Sequence, residues 1–368
     1  MIFGLTRSLA RMLRVSVIDF GNSNSTRNVD GVPIILLRAR LRIPNSRGLI
    51  PYNWNAFTSA FKLFLGLLAR SDFSRSTLLH FHSGTQFVVF RALLLIFRPN
   101  SDIHLIYSHH SPRWMDLGSV SLLTRLAAVV TEFSAIEHAE FVTFESEAVA
   151  ENIAKLSRMP AHFMVLPNGV DTEYFSNKRF ESAEIANGIF YGARIKRQKD
   201  QLSVVRAMSR VTQSGFDAHL LLLGDPEDLD YAEEVYAEVK RLGLDRQIEF
   251  MPSVDIDELN FLRMQYPVHV IYSSYTGFDV AVGETLSLAR ACVFSDIPPL
   301  KGIAVSGENC LLVPARNPVE LALAIQALFS NDNLRKSVSM RARETAVAKL
   351  SWETLATSFL ARVAESLA

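Results

Sequence analysis

The sequence lacks the short motifs that mark several common enzyme classes. It contains no G-x-G-x-x-G fingerprint, no Walker A loop and no H-E-x-x-H pair. Dehydrogenases with a dinucleotide fingerprint, P-loop nucleotidases and zinc metalloproteases are therefore disfavoured, because each class depends on one of these local geometries. No internal repeat or low-complexity tract is present either, so neither a solenoid nor a disordered chain is expected.

Cysteine and long apolar runs are also scarce. Cys292 and Cys310 are the two cysteines, and their spacing fits no zinc or redox motif, which favours buried free thiols in a reducing compartment. The longest apolar runs, such as ALLLIF near residue 95, are much shorter than the ~20 residues of a membrane-spanning helix. Three arginines interrupt the N-terminal apolar stretch, which is atypical of a signal peptide. We therefore expect a cytoplasmic protein.

Net charge is absent as well, since 38 Lys and Arg balance 38 Asp and Glu. This balance gives no support to nucleic acid as a main ligand. Residues 1–165, however, hold 17 Lys and Arg against 11 Asp and Glu, which leaves +6. A basic half either contacts an anionic membrane or a phosphorylated ligand, or is an ordinary solvated surface. We expect a peripheral contact with the inner face of the cell membrane.

Short apolar runs alternate with helical stretches along the whole chain of 368 residues. This alternation predicts parallel sheets covered by helices, and the pattern runs twice, which predicts two doubly wound α/β domains. The expected strands are RVSVIDF, LLHFH, IHLIYSHH and FVTFES in the first series, and GIFYGAR, HLLLLGD, IEFMP, VHVIYSS, ACVFSD and CLLVP in the second. Polar residues cluster near LPNGVDTEYF, where we place the junction.

Polar side chains at the carboxyl ends of such strands are candidates for ligand binding. In YGARIKRQKDQ, Arg194 and Lys199 follow a strand and precede a helix, where two cations can clamp a diphosphate. A basic loop facing water explains the same residues. In IYSHHSPRW, His110 ends a strand, and it either contacts a substrate or has a structural role.

A second candidate region is SSYTGFDVAVGETLSLARACVFSD, residues 273–296. Gly277 allows a close approach of backbone N–H groups to a ligand. Glu284 is expected to open the helix that follows, where it either accepts hydrogen bonds from sugar hydroxyls or stabilises the helix N-terminus.

These pieces resemble, over nearly the whole chain, the retaining glycosyltransferases of the GT-B fold, in particular glycosyltransferase family 4. LPNGVDTEYF is similar to the interdomain signature of that family, and YGARIKRQKD is similar to its nucleotide-diphosphate loop. The resemblance implies two Rossmann-like domains facing a central cleft. We expect an acceptor-side domain over 1–167, a nucleotide-sugar-binding domain over 168–350, and a C-terminal helix over 351–368 that crosses back to the first domain.

The resemblance also implies roles. Arg194 and Lys199 would neutralise the diphosphate leaving group, and Glu284 would hold the ribose hydroxyls of the nucleotide. The backbone near Gly277 and Phe278 would approach the donor sugar, as would His110 from the other domain. The resemblance also implies that no metal and no cofactor are needed, since the donor is itself a nucleotide-diphosphate sugar.

The sequence departs from the family pattern at two places. Thr276 stands where the family has the first glutamate of a pair separated by seven residues, and Asp279 stands where it has glycine. Asp279 is therefore a candidate for the missing carboxylate, the alternative being a turn residue facing solvent. The N-terminus begins at what resembles the first helix of the family, so either the true start lies upstream or the first domain lacks its first strand.

The resemblance implies transfer of a sugar from a nucleotide-sugar to a glycan or lipid-linked acceptor with retention of configuration, in surface polysaccharide synthesis. The alternative is a degenerate, non-catalytic GT-B protein that binds a nucleotide-sugar or a partner enzyme. A GT-B sugar epimerase fits the order of the motifs less well.

Overall fold

The computed structural model describes residues 17–21, 25–29, 32–38, 77–98, 102–110, 122–178, 183–273 and 279–367, with isolated positions before residue 66 and residue 180. Within it the chain divides into two compact units. The C-terminal unit comprises Asn168–Thr354, and the N-terminal unit comprises Ile2–Pro167 together with Leu355–Ala368. The final helix thus belongs to the same unit as the first half of the chain.

The C-terminal unit contains a six-stranded, all-parallel sheet in the order β10-β9-β8-β11-β12-β13. Its strands are β8 (Gly188–Gly192), β9 (His219–Leu223), β10 (Ile248–Met251), β11 (Val268–Ile271), β12 (Ala291–Ser295) and β13 (Leu311–Val313). All six second-series strands expected from the sequence are confirmed. This is the doubly wound arrangement, in which the chain winds outward from the sheet centre in both directions.

Helices cover both faces of this sheet. They are α4 (Gln201–Gln213), α5 (Leu229–Leu242), α6 (Ile256–Gln265), α7 (Val280–Ser287), α8 (Pro318–Ser330) and α9 (Asp332–Thr345). Strand β12 shows why the sheet needs two layers: Val293 packs in one apolar cluster, whereas Cys292 and Phe294 pack in another. Both cysteines are buried and free, as predicted, and burial raises the pKa of Cys310 to about 12.

The N-terminal unit contains a four-stranded parallel sheet in the order β4-β5-β6-β7. Its strands are β4 (Thr77–Phe81), β5 (Ile103–His109), β6 (Phe141–Phe144) and β7 (Phe163–Val165), and its helices are α1 (Gly84–Phe97), α2 (Leu122–His138), α3 (Glu147–Ala154) and α10 (Trp352–Leu367). An aromatic-rich core that includes Phe81, Phe87 and Phe90 fills the space between sheet and helices.

A separate three-stranded sheet lies earlier in the chain. It pairs β1 (Val17–Gly21) in parallel with β3 (Val32–Arg38), and β3 in antiparallel with β2 (Ser25–Val29). Strand β1 was predicted from the sequence, but the β2–β3 hairpin was missed. The residues of β2 lack the apolar alternation that normally indicates a strand, whereas the dipeptide Asp30-Gly31 and the apolar run VPIILLR of β3 were unused signals of a hairpin. The expected absence of a first strand concerns residues 1–16, nearly all of which lie outside the described ranges.

Candidate functional site

The carboxyl ends of β8 and β11 define the candidate site in the C-terminal unit. These two strands pair at the centre of the sheet, and the chain continues from them toward opposite edges. A crevice forms at such a switch point, and ligands of doubly wound folds bind there. The loop with Arg194 and Lys199 follows β8, and Asp279 follows β11. Thr276, Gly277 and Phe278 lie outside the described residues.

The loop that ends at Lys199 is attached firmly to the sheet. The hydroxyl of the buried Tyr191 lies between the carbonyl oxygens of Lys199 and Tyr272, the latter at 2.5 Å. Burial raises the pKa of Tyr191 well above its usual value, so this hydroxyl stays a donor. The Ser273 hydroxyl donates to the carbonyl of Gln198 at 3.0 Å. The backbone at Lys199 is thus held by side chains from both central strands.

The Lys199 ammonium makes an ion pair with Oδ2 of Asp279. Both side chains are largely buried, with 17% and 28% of their surface exposed. Asp279 is also the N-cap of α7, since its Oδ1 accepts a hydrogen bond from the Ala281 N–H at 3.2 Å. Asp279 is therefore not a solvent-facing turn residue: it fixes a cation and a helix start at the switch point.

Arg194 lies in a more exposed position than Lys199. Its side chain is 70% exposed, and Nη1 donates to Oε2 of Glu227 at 2.8 Å. Lys196 reaches the other oxygen of Glu227 at 3.2 Å, and this contact is the main reason why the pKa of Glu227 lies below its usual value. The two predicted diphosphate ligands therefore differ, because Lys199 is largely buried beside Asp279 and Arg194 is exposed and paired with Glu227.

Gly224 sets the spacing between the ends of β8 and β9. Its backbone has φ +145°, and a Cβ added there would lie 2.4 Å from the Ala193 carbonyl oxygen. That oxygen belongs to the residue before Arg194, so the closest neighbour is rigid backbone at the site itself. A side chain at this position would force the site loop away from the sheet.

We expect Gly224→Ala to destabilise the C-terminal unit by on the order of 3 kcal/mol, through backbone strain and overpacking. Calorimetric melting of the full chain checks this. Gly243→Ala is the matched control, because Gly243 also has a positive φ, of +66°, but nothing lies within 4 Å of an added Cβ. Equal losses in both variants would contradict the close-approach argument.

Glu284 is the fifth residue of α7, and so it does not open the helix as the sequence suggested. The helix begins at Val280, because Asp279 caps it four residues earlier than expected. Oε2 of Glu284 makes an ion pair with Nη2 of Arg263 at 2.9 Å. A helix rises about 1.5 Å per residue, so Glu284 lies roughly 7.5 Å along the axis from Asp279.

Arg263 is a site residue that the sequence analysis missed. It lies on α6, is 4% exposed, and is surrounded by polar contacts to Asn260 and His269. The signal in the sequence is an arginine on the segment LNFLRMQYPVHVI, where apolar residues dominate. A buried arginine needs a partner, since lone charges are rarely buried.

Histidines cluster at the carboxyl ends of β4 and β5 in the N-terminal unit. His82 Nδ1 and His110 Nε2 are 2.9 Å apart, so one ring donates to the other. His80 Nε2 lies 2.6 Å from the Ser108 hydroxyl. His109 is 1% exposed, and no described residue bonds either of its ring nitrogens. The predicted sugar-facing residue, His110, thus belongs to a histidine pair.

Burial lowers the pKa of both His80 and His109 to about 4. In the unfolded chain these rings bind protons near pH 6.5, whereas in the folded protein they do so only near pH 4. The folded state therefore loses stability as the pH falls from about 6.5 to about 4, by at most ~1.4 kcal/mol per pH unit for each ring.

We expect the N-terminal unit to melt at a clearly lower temperature at pH 5 than at pH 7. Hydrogen exchange of β5 amides at the two pH values, corrected for intrinsic rates, measures the difference. His109→Phe should reduce this acid sensitivity, because the Phe144 ring already packs 5.8 Å from the His109 ring. His138→Gln, at an exposed position, is the control. An unchanged pH response in His109→Phe would contradict the assignment.

Comparison with known proteins identifies the family of this chain. A sequence model described as "Glycosyltransferase Family 4" matches residues 1–174, and one described as "Glycosyl transferases group 1" matches residues 186–331. Between them the two models account for most of the chain, in the order that the GT-B fold requires. The chain belongs to the group 1, family 4 glycosyltransferases. The two parallel-sheet α/β units are those of the GT-B fold.

Individual relatives of this family 4 protein are distant. An uncharacterized glycosyltransferase of Methanocaldococcus jannaschii is 26% identical over 168 residues, 46% of this chain and 42% of the relative. The GDP-mannose:cellobiosyl-diphosphopolyprenol alpha-mannosyltransferase of Xanthomonas campestris is 24% identical over 223 residues, 61% of this chain and 57% of the relative. The matched stretches therefore span less than two thirds of the length of these curated relatives.

Solved structures share the fold over nearly the full length. Sucrose-phosphate synthase from Thermosynechococcus elongatus has a TM-score of 0.73 at 19% identity, covering 100% of this chain and 93% of that one. The Anabaena protein HepE in complex with UDP and glucose has a TM-score of 0.71 at 15% identity, covering 98% and 95%. At these identities the likeness shows the fold alone.

Proposed function

We propose that this protein transfers a hexosyl group from a nucleotide-sugar to a glycan or lipid-linked acceptor, with retention of configuration and without a metal, in surface polysaccharide synthesis. The observation that carries the proposal is the Lys199 ammonium, held at the switch point of the sheet by Asp279 and by the bonded loop behind it. A fixed cation at this place can stabilise the charge that develops on a departing diphosphate.

The remaining predicted ligands fit around this cation. Arg194 is exposed in the same loop and would contact a phosphate, and Glu284, one and a half turns along α7, offers a carboxylate to ribose hydroxyls. The Xanthomonas relative is named for a GDP-mannose donor and a diphosphopolyprenol-linked acceptor, and HepE was solved with UDP and glucose. These names support a nucleoside diphosphate sugar as donor and a lipid-linked glycan as acceptor.

Asp279 enters this proposal through Lys199. Its two carboxylate oxygens already accept from Lys199 and from the Ala281 N–H, so its first task is to orient the cation. Each oxygen keeps a second lone pair, and we propose that one of them also accepts from a donor-sugar hydroxyl in place of the glutamate absent at position 276. Asp279→Asn should then change both turnover and donor preference.

Contact with the membrane is part of the same proposal. No described helix is long and apolar enough to cross a bilayer. The basic balance of residues 1–165 supports a peripheral contact with an anionic surface, where a polyprenol-linked acceptor would reside. Sedimentation with anionic liposomes at low salt tests this part, and a protein that stays in the supernatant would contradict it.

The decisive experiment measures release of nucleoside diphosphate from UDP-, GDP- and ADP-linked hexoses, with a diphosphopolyprenol-linked disaccharide as acceptor. We expect acceptor-dependent release from one donor, unaffected by EDTA, and a product whose anomeric proton coupling matches that of the donor. Binding of a donor without release would instead support the alternative, a non-catalytic GT-B protein. Binding of no donor would overturn both.

A further inference from the structure

We propose that Arg263 is a positioning residue, which fixes the Glu284 carboxylate in the orientation that receives the ribose hydroxyls of the nucleotide. This inference rests on the proposed function, and it adds a residue on a different helix to the same site. Nη2 of Arg263 lies 2.9 Å from Oε2 of Glu284. One carboxylate oxygen, Oε2, is thus bonded to the arginine. The other oxygen, Oε1, keeps acceptor capacity for a hydroxyl donor.

The Arg263 side chain is less exposed than the Glu284 side chain, as a positioning role of the arginine requires. Arg263 is 4% exposed and Glu284 is 17% exposed. The arginine therefore lies on the inner side of the ion pair and the carboxylate on the outer side. The carboxylate is thus the more accessible member of the pair, and Arg263 acts through the carboxylate that it holds.

Arg263 is itself held by three neighbours. Nη1 donates to Oδ1 of Asn260 at 3.2 Å, and the His269 ring donates from Nε2 to the Arg263 carbonyl at 2.8 Å. The guanidinium also lies over the Phe190 ring, 5.9 Å from its centroid. Phe190 and His269 belong to β8 and β11, the strands whose ends form the crevice. These contacts fix Arg263, and through it Glu284, against the two central strands of the sheet.

This cluster is poorly explained by stability alone. Three of its buried polar atoms have no hydrogen-bond partner among the described residues: Nε of Arg263, Nδ2 of Asn260 and Nδ1 of His269. Unpaired buried polar atoms are costly, and apolar side chains of similar volume commonly replace buried ion pairs without loss of stability. We attribute the presence of these costly polar groups to their role in orienting a ligand-binding carboxylate.

The test compares affinity for a nucleoside diphosphate with affinity for its 2′,3′-dideoxy counterpart, by calorimetry, using the best-bound of UDP, GDP and ADP. In the unaltered protein we expect about 30-fold weaker binding of the dideoxy ligand, since hydrogen bonds to a charged acceptor are lost. Arg263→Met should reduce this ratio below about 3-fold, as should Glu284→Gln. Arg263→Lys, which keeps the charge but loses the fork geometry, should give an intermediate ratio.

Arg290→Met is the matched control. Arg290 is also a largely buried arginine of the C-terminal unit, and its Nη1 bonds Glu184 and the Met264 carbonyl but not Glu284. This variant should keep the 30-fold ratio. A merely structural role of Arg263 would weaken both ligands equally and leave the ratio unchanged in Arg263→Met, which would overturn the inference. Melting curves identify any variant that does not fold, and Arg263→Lys then decides.

The outcomes separate this inference from the proposed function. If the unaltered protein binds none of the three nucleoside diphosphates, the proposed function fails and the inference fails with it. If it binds one of them and shows ribose discrimination that survives Arg263→Met and Arg263→Lys, only the inference fails. If it binds one but never distinguishes the dideoxy form, the role of Glu284 and the inference both fail, while diphosphate binding stands.

Discussion

Lys199→Ala is expected to lower kcat by roughly 10²–10³-fold, with a smaller loss of donor affinity. Lys199 is the cation that the structure holds inside the crevice, and the loss of one preorganised group that stabilises developing charge typically has an effect of this size. The measurement is nucleoside diphosphate release under saturating donor and acceptor. Because the backbone of Lys199 is bonded through its carbonyl oxygen, truncation of the side chain leaves that hydrogen bond intact.

Lys196→Ala is the matched control for this prediction. Lys196 lies three residues earlier in the same loop, and its ammonium pairs with Glu227 rather than with Asp279. We expect its kcat to stay within about threefold of the unaltered protein, because its ammonium is paired with Glu227 and not with the capping carboxylate at the crevice. Comparable losses in both variants would show that the general positive charge of the loop, and not the position of Lys199, assists the reaction.

Glu284→Leu is expected to destabilise the C-terminal unit by about 3 kcal/mol. The substitution leaves the Arg263 cation buried and without its carboxylate, and breaking a buried pair on one side typically costs 3–5 kcal/mol. The bond from Arg263 to Asn260 remains and keeps the expected loss at the lower end of that range. Urea unfolding measures the change in the free energy of unfolding, and calorimetry of the same variant provides an independent check.

The double variant Arg263→Met/Glu284→Leu should recover most of this stability. Removing both charges together eliminates the unpaired cation and fills the space with apolar atoms, so we expect unfolding free energy within about 1 kcal/mol of the unaltered protein. The double variant should nevertheless fail to bind nucleoside diphosphate normally. A double variant that is less stable than Glu284→Leu would contradict the view that this ion pair is retained for binding rather than for stability.

The strands of the C-terminal unit could be predicted from the sequence because they are buried on both faces. A run such as HLLLL, followed by Gly224, has few alternatives to a central parallel strand. The β2–β3 hairpin was missed because β2 shows neither an apolar run nor alternation, although the apolar run VPIILLR of β3 did offer a strand signal. The helix start before Glu284 was misplaced, since the sequence does not show which of several polar residues becomes the cap.

Site residues could be predicted where they lie in a loop that follows a strand. They could not be predicted where their role depends on a tertiary contact. Lys199 was found because it lies in the loop between β8 and the next helix, whereas its partner Asp279 lies 80 positions later. Arg263 was missed because its role depends on an ion pair with Glu284, a side chain on a different helix, and such a contact has no local signature. The structure thus turned Glu284 from an isolated carboxylate into the outer member of a buried pair.

The assignment of α10 to the N-terminal unit has a consequence for biosynthesis. Phe359 of this helix is 1% exposed, and its ring stacks on His80 at 5.4 Å and contacts Phe141 at 6.2 Å. A ribosome makes the N-terminal unit first, yet it delivers the helix that closes this unit's core last. The C-terminal unit can therefore mature while its predecessor still exposes an apolar face, and chaperones would be expected to cover that face until this helix has been made.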